Sequence, residues 1–204
     1  MGLLSSRISV TRFNVSGQLD GSVHETVYHG LKQYAIPKIE HEGSEALVGW
    51  TSFENPYAPD FEGYSFVFGD LMVFALRIDK KSISPKLVRK HYTLEVAKHR
   101  AETGRNLLSG NEKKTIKEHV VKTLGRRIPA IPNVYDLVWN YQKSCLWFFS
   151  NLKSANEVLE TLFTKSFGLA LIHLFPYTTA NLVAGLSDQE RDLLLKLAPS
   201  PSKE

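Results

Sequence analysis

Apolar and polar positions alternate with period two near the start of the chain. Ile8, Val10, Arg12 and Asn14 interleave with Ser9, Thr11, Phe13 and Val15, so Arg7 to Val15 predicts a strand rich in β-branched residues. The period then lengthens. Val23, Val27, Leu31 and Tyr34 predict a helix from Val23 to Ile36, with Ser22 placed to cap it. Ala46 to Phe53 predicts a second strand, and residues 52 to 63, with their Pro, Asn, Asp and Gly, a loop. Tyr64 to Phe68, the turn Gly69-Asp70 and Leu71 to Asp79 predict a hairpin.

The middle of the chain is helical. Ser84-Pro85 is a start signal, because serine caps and proline suits the first turn. The helix should run to Thr103, where Gly104 ends it. Ser109 and Glu112 then form the pattern of a capping box. Ile116, Val120 and Leu124 make one apolar stripe behind it, and Gly125 and Pro129 are expected to close that second helix. Beyond Pro132, Val134 to Tyr141 and Cys145 to Ser150 predict two strands joined at Gln142 to Ser144. Ser154 to Phe167 predicts an amphipathic helix facing inward with Val158, Leu159, Leu162 and Phe163, stopped by Gly168. Leu169 to Phe175 predicts a further strand, Ser187 to Leu197 a short helix, and Pro199 to Glu204 a frayed tail.

This pattern predicts an α+β fold with two sheet-plus-helix units, β-α-β-β-β and β-β-α-β, linked by a basic pair of long helices. The expected divisions are an N-terminal α/β unit at 1–80, the basic helical pair at 81–132, a C-terminal strand-helix-strand unit at 133–182, and a short helix and tail at 183–204.

Composition changes the picture in one respect. The chain has 204 residues with ordinary globular proportions, 43% hydrophobic and 23% charged. Cys145 is the single cysteine, which rules out an intrachain disulfide and suits a reducing compartment. No apolar run reaches the roughly 18 residues of a membrane span, so a soluble, cytoplasmic protein is expected. The net charge of +4, however, is unevenly spread. Residues 77 to 127 hold fifteen Lys or Arg against five Asp or Glu, a balance of +10, and the rest of the chain holds ten against sixteen, a balance of −6. The basic residues are Lys80, Lys81, Lys86, Arg89, Lys90, Lys98, Arg100, Arg105, Lys113, Lys114, Lys117, Lys122, Arg126 and Arg127, together with Arg77. A solvated helix face usually mixes signs and forms i,i+4 pairs. A local excess of one sign repels itself and attracts a polyanion.

Catalytic motifs are missing from the sequence. The histidines, His24, His29, His41, His91, His99, His119 and His173, form neither H-E-x-x-H nor a Cys/His pair at zinc spacing. G-x-S-x-G and the glycine-rich phosphate loops are also missing, so no enzyme activity and no cofactor are expected. Asp60 and Glu62, with Glu54 nearby, are the one dense acidic group in a loop. They support an alternative reading as a metal-dependent DNA nuclease, against a solvated loop. Trp50, Trp139, Trp147, Phe148 and Phe149 suit base stacking in principle, but their apolar neighbours indicate core packing. Cys145 reads as a small core residue. Basic residues without a base-reading motif point to phosphate contacts and sequence-independent binding, and the rival is a module docking an acidic protein partner.

Several segments, in order, resemble the recombination-associated protein RdgC family of bacteria. Gly104-Arg105, Leu108, Ser109, Glu112-Lys113-Lys114, Ile116-Lys117-Glu118, Val120 and Leu124 look like that family's second basic helix. Arg77 to Val88 resembles its strand leading into the first long helix, and Gly49-Trp50 a Gly-Trp ending an early strand. Leu146 to Leu152, Ser154-Ala155, Glu157, Leu162, Ser166-Phe167-Gly168 and Pro176 resemble its strand-helix-strand unit. The resemblance covers about residues 7 to 180. It implies a non-enzymatic, nucleoid-associated protein that binds double-stranded DNA without sequence preference as a ring-shaped homodimer and restrains RecA-mediated recombination. The basic residues named above would contact phosphates. The family's C-terminal portion has no counterpart here, and Gly125 to Asn133 lacks the aromatic residue of the family's helix tip. The expectation is therefore a shortened form acting as a clamp, an open dimer or a monomer.

Overall fold

The computed structural model describes residues 2–37, 46–105 and 107–196. The elements are β1 (Thr11–Ser16), α1 (Val23–Gln33), β2 (Ala46–Thr51), β3 (Val67–Phe68), β4 (Leu71–Lys80), α2 (Pro85–Thr103), α3 (Gly110–Arg127), β5 (Ile131–Asn140), β6 (Cys145–Phe148), α4 (Lys153–Phe167), β7 (Ala170–His173), α5 (Pro176–Ala184) and α6 (Asp188–Lys196). The fold is α+β. The chain divides into two compact units. The first comprises Met1–Ala35, Trp50–Leu76 and Tyr135–Glu204, and the second Ile36–Gly49 and Arg77–Val134.

The first unit joins the two ends that the sequence pattern treats as separate. The strands of the chain form one sheet in the order β2-β4-β5-β6-β1-β7, with β3 paired to β4. β1 is antiparallel to both β6 and β7, with Thr11 opposite Phe148 and Phe13 opposite His173. Register puts Phe13, Leu146 and Trp139 in one row on one face. The same face holds an aromatic cluster against α4. Trp50 lies 5.2 Å from Phe74, Trp139 lies 5.0 Å from Phe163, and Phe163 lies 4.8 Å from Phe167, ring centre to ring centre. α4 serves this face because Ala155, Leu159, Leu162, Phe163 and Phe167 fall on one stripe, all buried. Val158, expected inside, is half-buried. α1 approaches α4 closely at Gly30. A Cβ there would sit 2.6 Å from Phe167 Cε1 and 2.7 Å from the Ser166 carbonyl. Trp50 Nε1 donates to Ser166 Oγ at 2.8 Å, which satisfies the one polar atom of a fully buried indole.

The opposite face of this sheet has its own small cluster of Val73, Val138 and Phe149, flanked by Leu3, Phe53, Leu71 and Trp147. β4 is accordingly buried from Met72 to Leu76 without alternation.

The expected β3–β4 hairpin is present, turning at Gly69 with φ 59°. Other boundaries move. β1 begins at Thr11, leaving Ile8 and Val10 exposed and outside the strand. α1 ends at Gln33, β7 is short, and Pro176 starts a helix, α5, that the apolar pattern of 169–175 does not announce. The predicted tail from Pro199 lies outside the described residues.

Candidate functional site

The second unit carries the basic block. α2 starts with Ser84 at the N-cap and Pro85 in its first turn, although the Ser84 side chain makes no capping bond. It stops at Gly104, whose φ of 66° closes the helix in the left-handed region. α3 is held more firmly at its start. The Ser109 N–H donates to Glu112 Oε2 at 2.7 Å and the Glu112 N–H donates to Ser109 Oγ at 3.3 Å, so the capping box is complete. These bonds to Ser109, first its backbone N–H and then its side chain, hold the Glu112 carboxyl below its ordinary range. Gly125 does not end α3, which continues to Arg127 with Ile128 as its cap.

The core beneath these helices is thin. α2 has no buried residue, and α3 buries only Val120 and Leu124. Ile116 of the predicted stripe is half-buried. The outer ends of β4 and β5 complete the unit, and Asn133 Nδ2 donates to the Ile78 carbonyl at 3.3 Å.

The basic residues are exposed at Lys80, Lys86, Arg89, Lys90, Lys98, Arg100, Arg105, Lys113, Lys114, Lys117, Lys122, Arg126 and Arg127, while Lys81 is half-buried. Four of the five carboxylates of the block, Asp79, Glu102, Glu112 and Glu118, have a polar partner. Asp79 is buried and accepts two bonds from the Arg77 guanidinium. Glu112 belongs to the cap. Glu102 lies 4.0 Å from Lys98 and Glu118 lies 3.9 Å from Lys114. Glu95 lines a cleft of about 240 Å³ between α2 and α3 together with Lys98, His99, Glu102 and His119. Among the described residues, Lys86, Arg89, Lys90, Arg100, Lys113, Lys117, Lys122 and Arg126 have no carboxylate within ion-pair distance.

The helices distribute this charge differently. At about 100° per residue, Lys86, Arg89, Lys90 and Arg100 fall within one sector about 100° wide on α2, with Thr93 and Ala97 between them. Lys98 falls outside it and turns to Glu102. On α3 the same arithmetic scatters the cations around the helix. Lys113 and Lys117 lie near one another, Lys122 and Arg126 on nearly the opposite side, and Arg127 on the side of a second small cleft with His91 and Glu95. The sequence reading missed this single-signed face of α2. The signal was present in the spacing 86, 89, 90, 93, 97, 100, once each residue's sign is plotted by angle.

The acidic loop is engaged within the first unit. Lys32 Nζ lies 3.0 Å from Glu62 Oε1, the Tyr28 hydroxyl donates to the same oxygen at 2.9 Å, and Asp60 Oδ1 accepts from the Glu62 N–H at 2.9 Å. The Lys32 ammonium and the Tyr28 hydroxyl lower the Glu62 pKa, and the bonds of Lys32 to the Tyr28 hydroxyl and then to Glu62 raise the Lys32 pKa. Among the described residues, no three or more His, Cys, Asp or Glu side chains are grouped to hold a metal ion. His41 lies outside those residues. Trp50, Trp139 and Phe148 are fully buried, as core packing requires, and Trp147 is half-buried on the other sheet face. Cys145 is half-buried, and burial pushes its thiol pKa up, away from reactivity.

No helix among the described residues is long and apolar enough to cross a membrane. No protein-family model matches the chain, and no curated protein matches it.

Proposed function

We propose that this protein binds double-stranded DNA through its phosphates, without sequence preference, and thereby modulates homologous recombination in the RdgC manner by restraining RecA. The observation that carries this reading is the exposure of the cations on α2 and α3, eight of which have no carboxylate within ion-pair distance among the described residues, while Asp79 is held in a buried ion pair and Glu112 in a helix cap. An excess of like charge on a thinly cored helical pair is repulsive in isolation and is relieved by a dense polyanion. DNA is the densest such partner in a bacterial cytoplasm, so nucleoid association follows from the same chemistry. A homodimer would present two such units to one duplex. The reading includes no catalytic step and no cofactor.

The test is fluorescence anisotropy of a labelled random-sequence duplex at several salt concentrations. Engagement of roughly 6–10 phosphates predicts a loss of 10³–10⁵ in affinity between 50 and 200 mM salt, equal for unrelated sequences. No binding at low salt, or an affinity that salt leaves unchanged, would remove the reading. Tighter binding to an acidic polypeptide than to DNA would transfer the surface to a protein partner.

A further inference from the structure

We infer that α2, rather than α3, is the helix that tracks the phosphates, and that it does so by bridging a groove of the duplex. The inference rests on the DNA-binding reading and specifies the surface. α2 gathers four cations without a carboxylate partner on one face, whereas α3 divides its cations between opposite sides. Lys86, Arg89 and Lys90 stand at one end of that face and Arg100 at the other. The two acidic residues of α2, Glu95 and Glu102, lie on the cleft side with His99. At a rise of about 1.5 Å per residue, Lys90 and Arg100 are about 15 Å apart along the axis. That exceeds the roughly 12 Å width of the major groove by a margin that extended side chains cover. A helix crossing the groove therefore places its two cationic ends on the two backbones that border it.

The centre of the face fits the same geometry. Thr93 and Ala97 are short enough to allow close approach. The Thr93 hydroxyl donates to the Arg89 carbonyl at 3.0 Å, so its proton is already used within the helix. Neither residue can read base edges by the bidentate contacts that long polar side chains make. Phosphate grip at both ends with no donor in the middle is a device for binding without sequence preference. α3 differs, because cations spread around a helix cannot all meet one surface.

The experiment compares four full-length proteins on a random duplex and on a single strand of equal length, between 50 and 200 mM salt. These are the wild type, the triple variant Lys86→Gln/Arg89→Gln/Lys90→Gln, Arg100→Gln, and the triple variant Lys113→Gln/Lys114→Gln/Lys117→Gln. Glutamine is a good helix former and all these positions are exposed, and circular dichroism checks that each variant remains folded. The first triple variant should reduce the salt-driven loss of duplex affinity by about 40-fold, corresponding to three counterions, and Arg100→Gln by about 3-fold. The α3 variant should change it less than the α2 triple variant, and wild type should prefer duplex to single strand. An α3 effect equal to or larger than the α2 effect would overturn the assignment while leaving DNA binding intact. An unchanged slope for Arg100→Gln, or equal binding of both strand forms, would overturn the bridge. No duplex binding by wild type would instead defeat the underlying reading.

Discussion

The first unit is closed by rings and the second by ends. In the first, Trp50, Phe74, Trp139, Phe163 and Phe167 fill the space between a sheet and α4, and a glycine lets α1 come close enough to cover them. In the second, two long helices share a cleft, bury Val120 and Leu124, and rely on a glycine cap at one turn and a capping box at the next. Apolar area sets the stability of the first unit, whereas local hydrogen bonding and charge set the behaviour of the second. The difference shows that one chain can keep its largest apolar core in one unit and its densest positive charge in the other.

The sharpest way to break this contrast is truncation. Phe167→Ala should destabilise by about 3–5 kcal/mol, as expected for a buried aromatic ring in a closed cluster. Leu124→Ala, in the thinner core, should fall near the lower end of the 2–5 kcal/mol range for leucine. Urea unfolding followed by tryptophan fluorescence and by far-UV circular dichroism measures both, and equal costs would erase the distinction.

Gly30→Ala comes next. The added methyl meets Phe167 and the Ser166 carbonyl well inside contact distance, so α1 must move away from α4 at a cost of about 1–3 kcal/mol. A neutral substitution in thermal melting would mean that the helix contact is loose. Ser109→Ala probes the other unit. Loss of the cap should cost about 1 kcal/mol and speed amide exchange in the first turn of α3, leaving the exchange of α4 unchanged.

Acid sharpens the comparison through opposite signs. Glu112 is held below its ordinary pKa, so its contribution to α3 is present above the unfolded value, about 4.3, and is lost as pH falls through the lower folded value. Asp136, in the first unit, is pushed above its ordinary pKa by burial, only partly offset by the Leu3 N–H that donates to it at 2.7 Å. Its folded pKa exceeds its unfolded one. Its relative stabilisation is therefore fully present below the unfolded value, about 3.9, and is lost as pH rises through the folded value. Asp136→Asn should remove that loss at neutral pH, and amide exchange reads the two trends separately, in β5 between pH 4 and 7 and in α3 as the pH is taken below about 4. The smallest effect is expected at Lys32→Ala, where the ion pair with Glu62 is solvent-exposed and the melting temperature should not change measurably.

Local signals were readable in the sequence because each depends on neighbours in the chain. Ser109 and Glu112 announce their cap three residues apart, Gly104 and Gly168 mark helix ends in left-handed geometry, and Gly69-Asp70 marks the hairpin. The union of the two chain ends was not readable, because β1 pairs with β6 and β7 by a register that only tertiary packing selects. α5 was hidden because Leu169 to Phe175 is apolar except for His173, and such a run does not mark where a strand gives way to a helix. The basic block was plain as composition. Its resolution into one ordered face on α2 and a scattered set on α3 required angles as well as counts.

The pairing of β1 with β6 also has a consequence in time. Thr11 meets Phe148 across most of the chain's length, and β1 also waits for β7 to complete its other edge. Such distant partners make sheet closure a slow event, while the α2–α3 hairpin is made of near neighbours and can form within microseconds to milliseconds. On a ribosome the hairpin emerges before β6 and β7 do. The nascent chain would then display its cations while its aromatic strands still lack their partners.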